Sequence, residues 1–179
     1  MKNVLIISTS LRKNSNSETL AAEFARGAAA AGHKTEQISL SDKTIGFCRG
    51  CLACQKTQKC VIADDAPAIA EKVKNADVVV FATPIYYYEM SGQMKTLLDR
   101  CNPIFASDYA FREVYLIAAA ADGDEGAMDG AVKGLQGWID CFGQAKLCGV
   151  LRGTGLTNSG EAAAKTALLK KAYEMGQNV

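Results

Sequence analysis

Short apolar runs alternate with helical stripes along the whole chain. Val4-Leu5-Ile6-Ile7 is wholly apolar and largely β-branched, which predicts a strand covered on both faces. Leu20, Phe24 and Ala28 follow at four-residue steps and predict a helix over 17–31 that Gly32 stops. Residues 35–40 set polar side chains against Ile38 and Leu40, the pattern of an edge strand. Asp65 and Pro67 open the next helix, with Ile69 and Val73 facing inward. Val78-Val79-Val80-Phe81-Ala82 is the strongest strand signal in the chain. A helix over 92–100 buries Met94, Leu97 and Leu98 and pairs Lys95 with Asp99 four residues on. Strands over 114–119 and 146–151 flank a stripe of Met128, Val132, Leu135, Ile139 and Phe142, which reads as core packing. A helix over 161–175 closes the series.

Five β-α units in series predict a parallel sheet with helices on both faces and right-handed crossovers, one three-layer α/β domain. No internal repeat, low-complexity tract or linker interrupts it.

Composition narrows the function classes. A chain of 179 residues suits one domain that buries roughly 70% of its unfolded surface. With 22% charged residues and a net charge of +1, it lacks the basic excess that nucleic-acid binding needs to neutralise phosphates. Its apolar runs fall far short of the roughly 20 residues of a membrane span. Lys2 and the apolar run after it are followed by polar residues without a small-residue cleavage site, so no signal peptide is expected. Seven cysteines, an odd count, speak against a disulfide framework, and a cytoplasmic location is expected. The single histidine, His33, is expected to cap a helix or face water, which leaves nothing for a triad or a histidine-rich metal site.

In open α/β sheets ligands bind beyond the carboxyl ends of the strands, where strand order reverses. The loop after the first strand, Ser8-Thr9-Ser10-Leu11-Arg12-Lys13-Asn14-Ser15-Asn16-Ser17, carries hydroxyls, amides and two cations, with no acid until Glu18. It runs into a helix N-terminus, whose free N–H groups favour an anion. Without glycine it matches neither G-x-x-x-x-G-K-[ST] nor G-x-G-x-x-G, so nucleoside triphosphates and a dinucleotide Rossmann site are not supported. A hydroxyl-lined pocket for one terminal phosphate fits better; a solvated loop with an N-cap serine is the bland alternative. The loop after the third strand holds Tyr86-Tyr87-Tyr88, which suits either a wall for a flat ring or a dimer interface. The loop after the fourth, Ala120-Ala121-Asp122-Gly123-Asp124-Glu125-Gly126, is small enough for close backbone approach.

The S-x-S-L-R-K-N-S-N-S loop, the A-T-P-I-Y-Y segment and the following M-S-G-Q-M-K-T-L-L-D-R resemble the NAD(P)H-dependent FMN reductases of the flavodoxin-like superfamily, nearly end to end. The resemblance implies a single flavodoxin-like FMN-binding domain over 1–179, with a five-stranded parallel sheet of order 2-1-3-4-5. Flavodoxin, with a sheet of that order, binds FMN at its switch point. The resemblance further implies that Ser8, Ser10, Arg12, Asn16 and Ser17 hold the FMN phosphate and that Thr83, Pro84, Ile85, Tyr86 and Tyr87 contact the isoalloxazine. Ala120, Asp122 and Gly123 would close the third side, although the family's loop is usually richer in glycine there. Members are commonly dimers, so a homodimer or a dimer of dimers is expected. Hydride would pass from NAD(P)H to the flavin and electrons on to a small acceptor such as a quinone, a nitro or azo compound, or flavin. No side chain stands out as a general acid or base. The family has no separate dinucleotide fold whose acidic residue could be read, so the sequence does not choose between NADH and NADPH.

Cys48-x2-Cys51-x2-Cys54-x5-Cys60 departs from a plain FMN reductase. Structural zinc sites usually combine two separated pairs, whereas steps of three approach the ferredoxin pattern, with a longer last step and Val61 in place of proline. The run also resembles the compact motif of iron-sulfur flavoproteins, which implies that the four cysteines ligate a 4Fe-4S cluster near the flavin. A loop without metal and a zinc site are the competing readings. Cys101, Cys141 and Cys148 are expected within regular elements as buried apolar side chains.

Two functions therefore compete: an FMN-dependent reductase of small acceptors, and an iron-sulfur flavoprotein exchanging electrons with a redox partner protein. A phosphorylation receiver would need acids where Ser8-Thr9-Ser10 and Thr83 stand, and a flavodoxin shuttle would be strongly acidic.

Overall fold

Strand β1 (Asn3–Ser8) is an inner strand of a parallel sheet, with β2 (Lys34–Ser39) at the edge beside it and β3 (Val78–Tyr86) on its other side. Beyond β3 come β5 (Glu113–Ala119) and β6 (Lys146–Gly153), so the order is β2-β1-β3-β5-β6. The added β4 is only Glu89–Met90, paired antiparallel with the end of β3. The five parallel strands keep the expected order; β4 is the one extra element of the sheet. The computed structural model describes residues 1–105 and 107–179.

The apolar strands alternate their side chains between two cores. Val4, Ile6, Val78 and Val80 face α1 (Asn16–Ala30) and α6 (Thr166–Gln177). Leu5, Ile7, Val79 and Phe81 face α3 (Ala66–Asn75), α4 (Gly92–Arg100) and α5 (Asp129–Ile139). Burial on both faces is why β1 and β3 read as continuous apolar runs. The short α2 (Ala53–Thr57) lies in the cysteine-rich segment between β2 and α3.

Helix ends follow local chemistry. Ser15 caps α1, its Oγ accepting from Glu18 N–H at 3.2 Å. At the other end Gly32 adopts φ +86°, and His33 N–H reaches Ala28 O at 3.0 Å, closing the helix as predicted. The His33 ring is half-buried. Its Nδ1 accepts from Lys2 N–H at 3.1 Å and its Nε2 lies 3.0 Å from Val179 O, joining the two ends of the chain.

Several boundaries differ from expectation. β3 runs on to Tyr86 because Tyr86 and Ile85 pair with β4. α5 starts at Asp129, so Met128 and Phe142 pack from the turns that flank it. Glu161–Ala164 forms a 3-10 turn, and α6 begins only at Thr166. Of the three cysteines expected in the interior, Cys101 is buried, but Cys141 lies in an exposed turn and Cys148 on the outer strand β6.

One contact has no sequence signal. A Cβ on Gly27 would lie 2.0 Å from Tyr173 O, and one on Gly176 would lie 2.1 Å from Phe24 O. The two glycines let the backbones of α1 and α6 touch.

Candidate functional site

The register brings the predicted loops together. Ser8 sits opposite Ala82, and Pro84 opposite Ala119, so the ends of β1, β3 and β5 are adjacent at the point where the strand order reverses.

The loop after β1 is buried although it is polar. Ser8, Ser10, Asn16 and Ser17 are each less than a tenth exposed. The loop reverses at Asn14, φ +52°, where asparagine rather than glycine accepts the left-handed region. Ser10 Oγ accepts from Arg12 N–H at 3.3 Å. The hydroxyls of Ser8 and Ser17 are buried without a hydrogen-bond partner. A buried hydroxyl left unpaired costs about 1–3 kcal/mol. Ser8 ends β1 and Ser17 lies in the first turn of α1, whose first N–H groups have no intrahelical acceptor and whose dipole favours negative charge. These donors fit a phosphate: neither hydroxyl is engaged, and the loop between them carries no acid.

Two predicted residues are engaged otherwise. The Asn16 amide donates to Asn158 O at 2.9 Å and Leu156 O at 3.4 Å, and its Oδ1 accepts from Ala162 N–H at 3.0 Å. Its side chain thus clamps the loop after β6, leaving its backbone N–H for a ligand. The Arg12 guanidinium is exposed and donates to Thr157 O at 3.3 Å. This fourth loop, 154–165, carries no motif that marks it in the sequence. Glu161 organises it by accepting from Thr157 N–H at 2.7 Å and from Asn158 through both N–H at 3.0 Å and Nδ2 at 2.8 Å. Those bonds, Asn158 foremost, hold its carboxyl below the usual carboxylate range.

Thr83 is fully buried and its hydroxyl is spent. It accepts from Ser91 N–H at 3.0 Å and donates to Pro84 O at 3.0 Å. Thr9 and Ser91 complete this hydroxyl cluster, and neither was expected there. Pro84 and Ile85 are half-buried, while Tyr86, Tyr87 and Tyr88 are exposed along a tight turn. Tyr87 and Tyr88 take φ +51° and +64°, a conformation disfavoured for bulky residues. The turn is pressed against α5: a Cβ on Gly130 would come within 2.4 Å of Tyr88 O. Across the cleft, Tyr88 Oη donates to Asp122 Oδ2 at 3.3 Å, joining the loops after β3 and β5. Ala120 is buried and held by Gly153 O and Leu156 N–H, both at 2.8 Å. Gly123 has open space where a side chain would stand.

The four clustered cysteines lie at the other end of α4. Cys48, Cys51, Cys54 and Cys60 line a single cavity together with Arg100 and Asn102. Gly50 and Leu52, at φ +63° and +58°, turn the loop around it. Among the described residues, no three His, Cys, Asp or Glu side chains converge closely enough to share one ion. The thiols instead border one narrow pocket that opens to solvent. Four thiols are the donor set of a thiolate-ligated metal centre, whether zinc or an iron-sulfur cluster. Cys101 is no part of this set, and burial pushes its thiol up to about 12.

The sheet order, with three loops gathered at the strand ends, defines a flavodoxin-like α/β protein. Among the described residues no helix is long and apolar enough to cross a membrane. The chain belongs to the NADPH-dependent FMN reductase family, whose match spans residues 2–173. It is 40% identical over 101 residues to an iron-sulfur flavoprotein of Methanocaldococcus jannaschii, covering 56% of this chain and 52% of that protein. A second iron-sulfur flavoprotein, from Methanosarcina thermophila, is 28% identical over 138 residues, covering 76% of this chain and 72% of the relative. The match thus spans about half the length of the first of these relatives. In structure the chain resembles an NAD(P)H:quinone oxidoreductase from Methanothermobacter marburgensis, with a TM-score of 0.79 at 18% identity over 99% of this chain and 95% of that one. At that identity the likeness is one of fold.

Proposed function

We propose that this protein is an FMN-dependent NAD(P)H oxidoreductase that passes electrons from a nicotinamide through bound FMN to a small acceptor such as a quinone, a nitro or azo compound, or flavin. The observation that carries this reading is the pair of buried hydroxyls without partners among the described residues, Ser8 at the end of β1 and Ser17 in the first turn of α1, flanking an acid-free loop. Family membership supports it.

When bound, FMN supplies both the hydride acceptor and the electron donor of the cycle. The chain's own residues seat and orient it. Ser8, Ser10 and Ser17, with the first N–H groups of α1, receive the phosphate, and Arg12 adds positive charge at the rim. Pro84, Ile85, Tyr86 and Tyr87 border the ring, Thr83 shaping that wall from beneath as a buried support. Asp122 and Gly123 edge the far side, where the absence of a Gly123 side chain leaves room for a flat reactant. No side chain is required to move a proton. Homodimer formation belongs to the same reading, since Tyr87 and Tyr88 present ring surface beside the site for a second copy to cover.

The test is an anaerobic mixing experiment. Flavin-loaded protein should bleach on addition of NADPH or NADH and regain its colour when a quinone follows. Flavin that stays oxidised with both nucleotides overturns the assignment.

A second reading is favoured by the cysteine cavity: an iron-sulfur flavoprotein in which Cys48, Cys51, Cys54 and Cys60 hold a 4Fe-4S cluster and a redox partner protein exchanges the electrons. The names of the two relatives support it. Oxygen-protected protein should then contain iron and acid-labile sulfide, and their absence would remove this reading while leaving the first intact.

A further inference from the structure

The C-terminal end of α4 makes contacts that the flavin site does not use. The side chain of Arg100 is fully buried. Its charge is met by Asp64 in a fork, Nη1 to Oδ2 at 2.6 Å and Nη2 to Oδ1 at 2.9 Å. Further N–H groups reach Gly46 O at 2.7 Å and Ile62 O at 3.3 Å, the two stems of the loop that carries the four cysteines. Nη2 also donates to Cys60 Sγ at 3.4 Å. Two residues on, Asn102 Nδ2 donates to Cys54 Sγ at 3.0 Å.

Closing a loop does not by itself call for this chemistry. A buried ion pair is often no more stabilising than an apolar replacement of similar volume. What an apolar residue cannot supply is N–H groups aimed at sulfur. Both donors come from one short stretch, Arg100-Cys101-Asn102, and both point at cysteines of the same cavity.

We propose that Arg100 and Asn102 are the positioning residues of the cysteine cavity: they fix Cys60 and Cys54 as hydrogen-bonded sulfurs and raise the reduction potential of the sulfur-ligated group held there. The proposal rests on the iron-sulfur reading above. Its physics is electrostatic. Reduction adds negative charge to the sulfurs, N–H···S bonds strengthen as that charge grows, and the reduced form is stabilised. The Arg100–Asp64 fork keeps the guanidinium from swinging away, so its donor stays in place in both redox states.

The test uses full-length protein prepared without oxygen. Iron and sulfide are counted, and the midpoint potential of the iron centre is measured by redox titration with electron paramagnetic resonance. Asn102→Leu should keep iron and FMN but titrate at a lower potential than the parent, and Asn102→Gln, which retains an N–H donor, should recover part of the difference. Arg100→Lys cannot span Asp64, Gly46 and Cys60 together and should release iron faster to a chelator. FMN content reports correct folding of each variant. A potential in Asn102→Leu equal to the parent's, with iron retained, overturns the proposal alone. A parent protein without iron and sulfide overturns the cluster reading and the proposal with it.

Discussion

The hydroxyls of Thr9 and Ser91 lie 3.0 Å apart in the interior, 82 residues from each other in sequence. Thr9 also donates to Ala82 O at 3.1 Å, and Ser91 accepts from Met94 N–H at 3.3 Å as the cap of α4. This one contact fastens the loop after β1 to the end of β3 and to the start of α4. The helix that it anchors ends at Arg100, beside the cysteine cavity. The two candidate sites therefore sit at opposite ends of a nine-residue helix, about 13 Å long.

Replacing Ser91 with alanine should remove the cap and the hydroxyl contact with Thr9, while Thr9 keeps Ala82 O and Thr83 keeps Pro84 O and the N–H of residue 91. A loss of about 1–2 kcal/mol is expected from the cap and the one broken contact. Urea denaturation measures it, and FMN binding should weaken as the two loops lose their tie.

Ser17→Ala should separate stability from binding. The hydroxyl has no partner among the described residues, so removing it should leave the flavin-free protein equally stable or slightly more so. Affinity for FMN should fall by about 10-fold to 100-fold, the worth of one hydrogen bond to a charged group. Thermal melts and a flavin fluorescence titration on the same samples check both halves.

Tyr87 and Tyr88 form a two-residue hairpin loop in which both residues need φ > 0, a position that favours glycine. Tyr88→Gly relieves a left-handed φ and should stabilise the flavin-free protein by about 1 kcal/mol. It also deletes the ring that reaches Asp122, so the spectrum of bound flavin should shift. Gly130→Ala should displace the same turn from the other side, because the added methyl meets Tyr88 O, and should destabilise the fold.

Acid should act through Asp64. The Arg100 guanidinium holds its carboxyl below the usual carboxylate range, helped by N–H groups of Gly46 and Ala66. The stabilisation is therefore fully present above the unfolded value of about 4 and is lost as pH falls through the lower folded value. Asp64→Asn should flatten that part of the stability profile. At neutral pH it should cost about 3–5 kcal/mol, since a buried cation loses its partner. Denaturation curves from pH 2 to 7 on both proteins test the sign.

The sheet was legible because β1 and β3 are buried on both faces and say so in every residue. The loop after β1 was legible for a different reason: a polar stretch with no acid, placed between a buried strand and a helix, has few other uses. Asn16 shows the limit of such reading. Its side chain serves residues 156–162, and no local pattern announces a contact across 146 positions. The same holds for Arg100 and Asp64, which read as one more basic and one more acidic residue until the fold buries them together. Glycines 27, 130 and 176 were equally silent, because a close backbone approach leaves no trace except a missing side chain.

The seat for the phosphate is tested most directly by titrating flavin-free protein with FMN and, separately, with riboflavin, which lacks only that group. Two charge-assisted hydrogen bonds from Ser8 and Ser17 predict that FMN binds about 100-fold to 10,000-fold more tightly. Equal affinities, or no uptake of either flavin, would contradict the account.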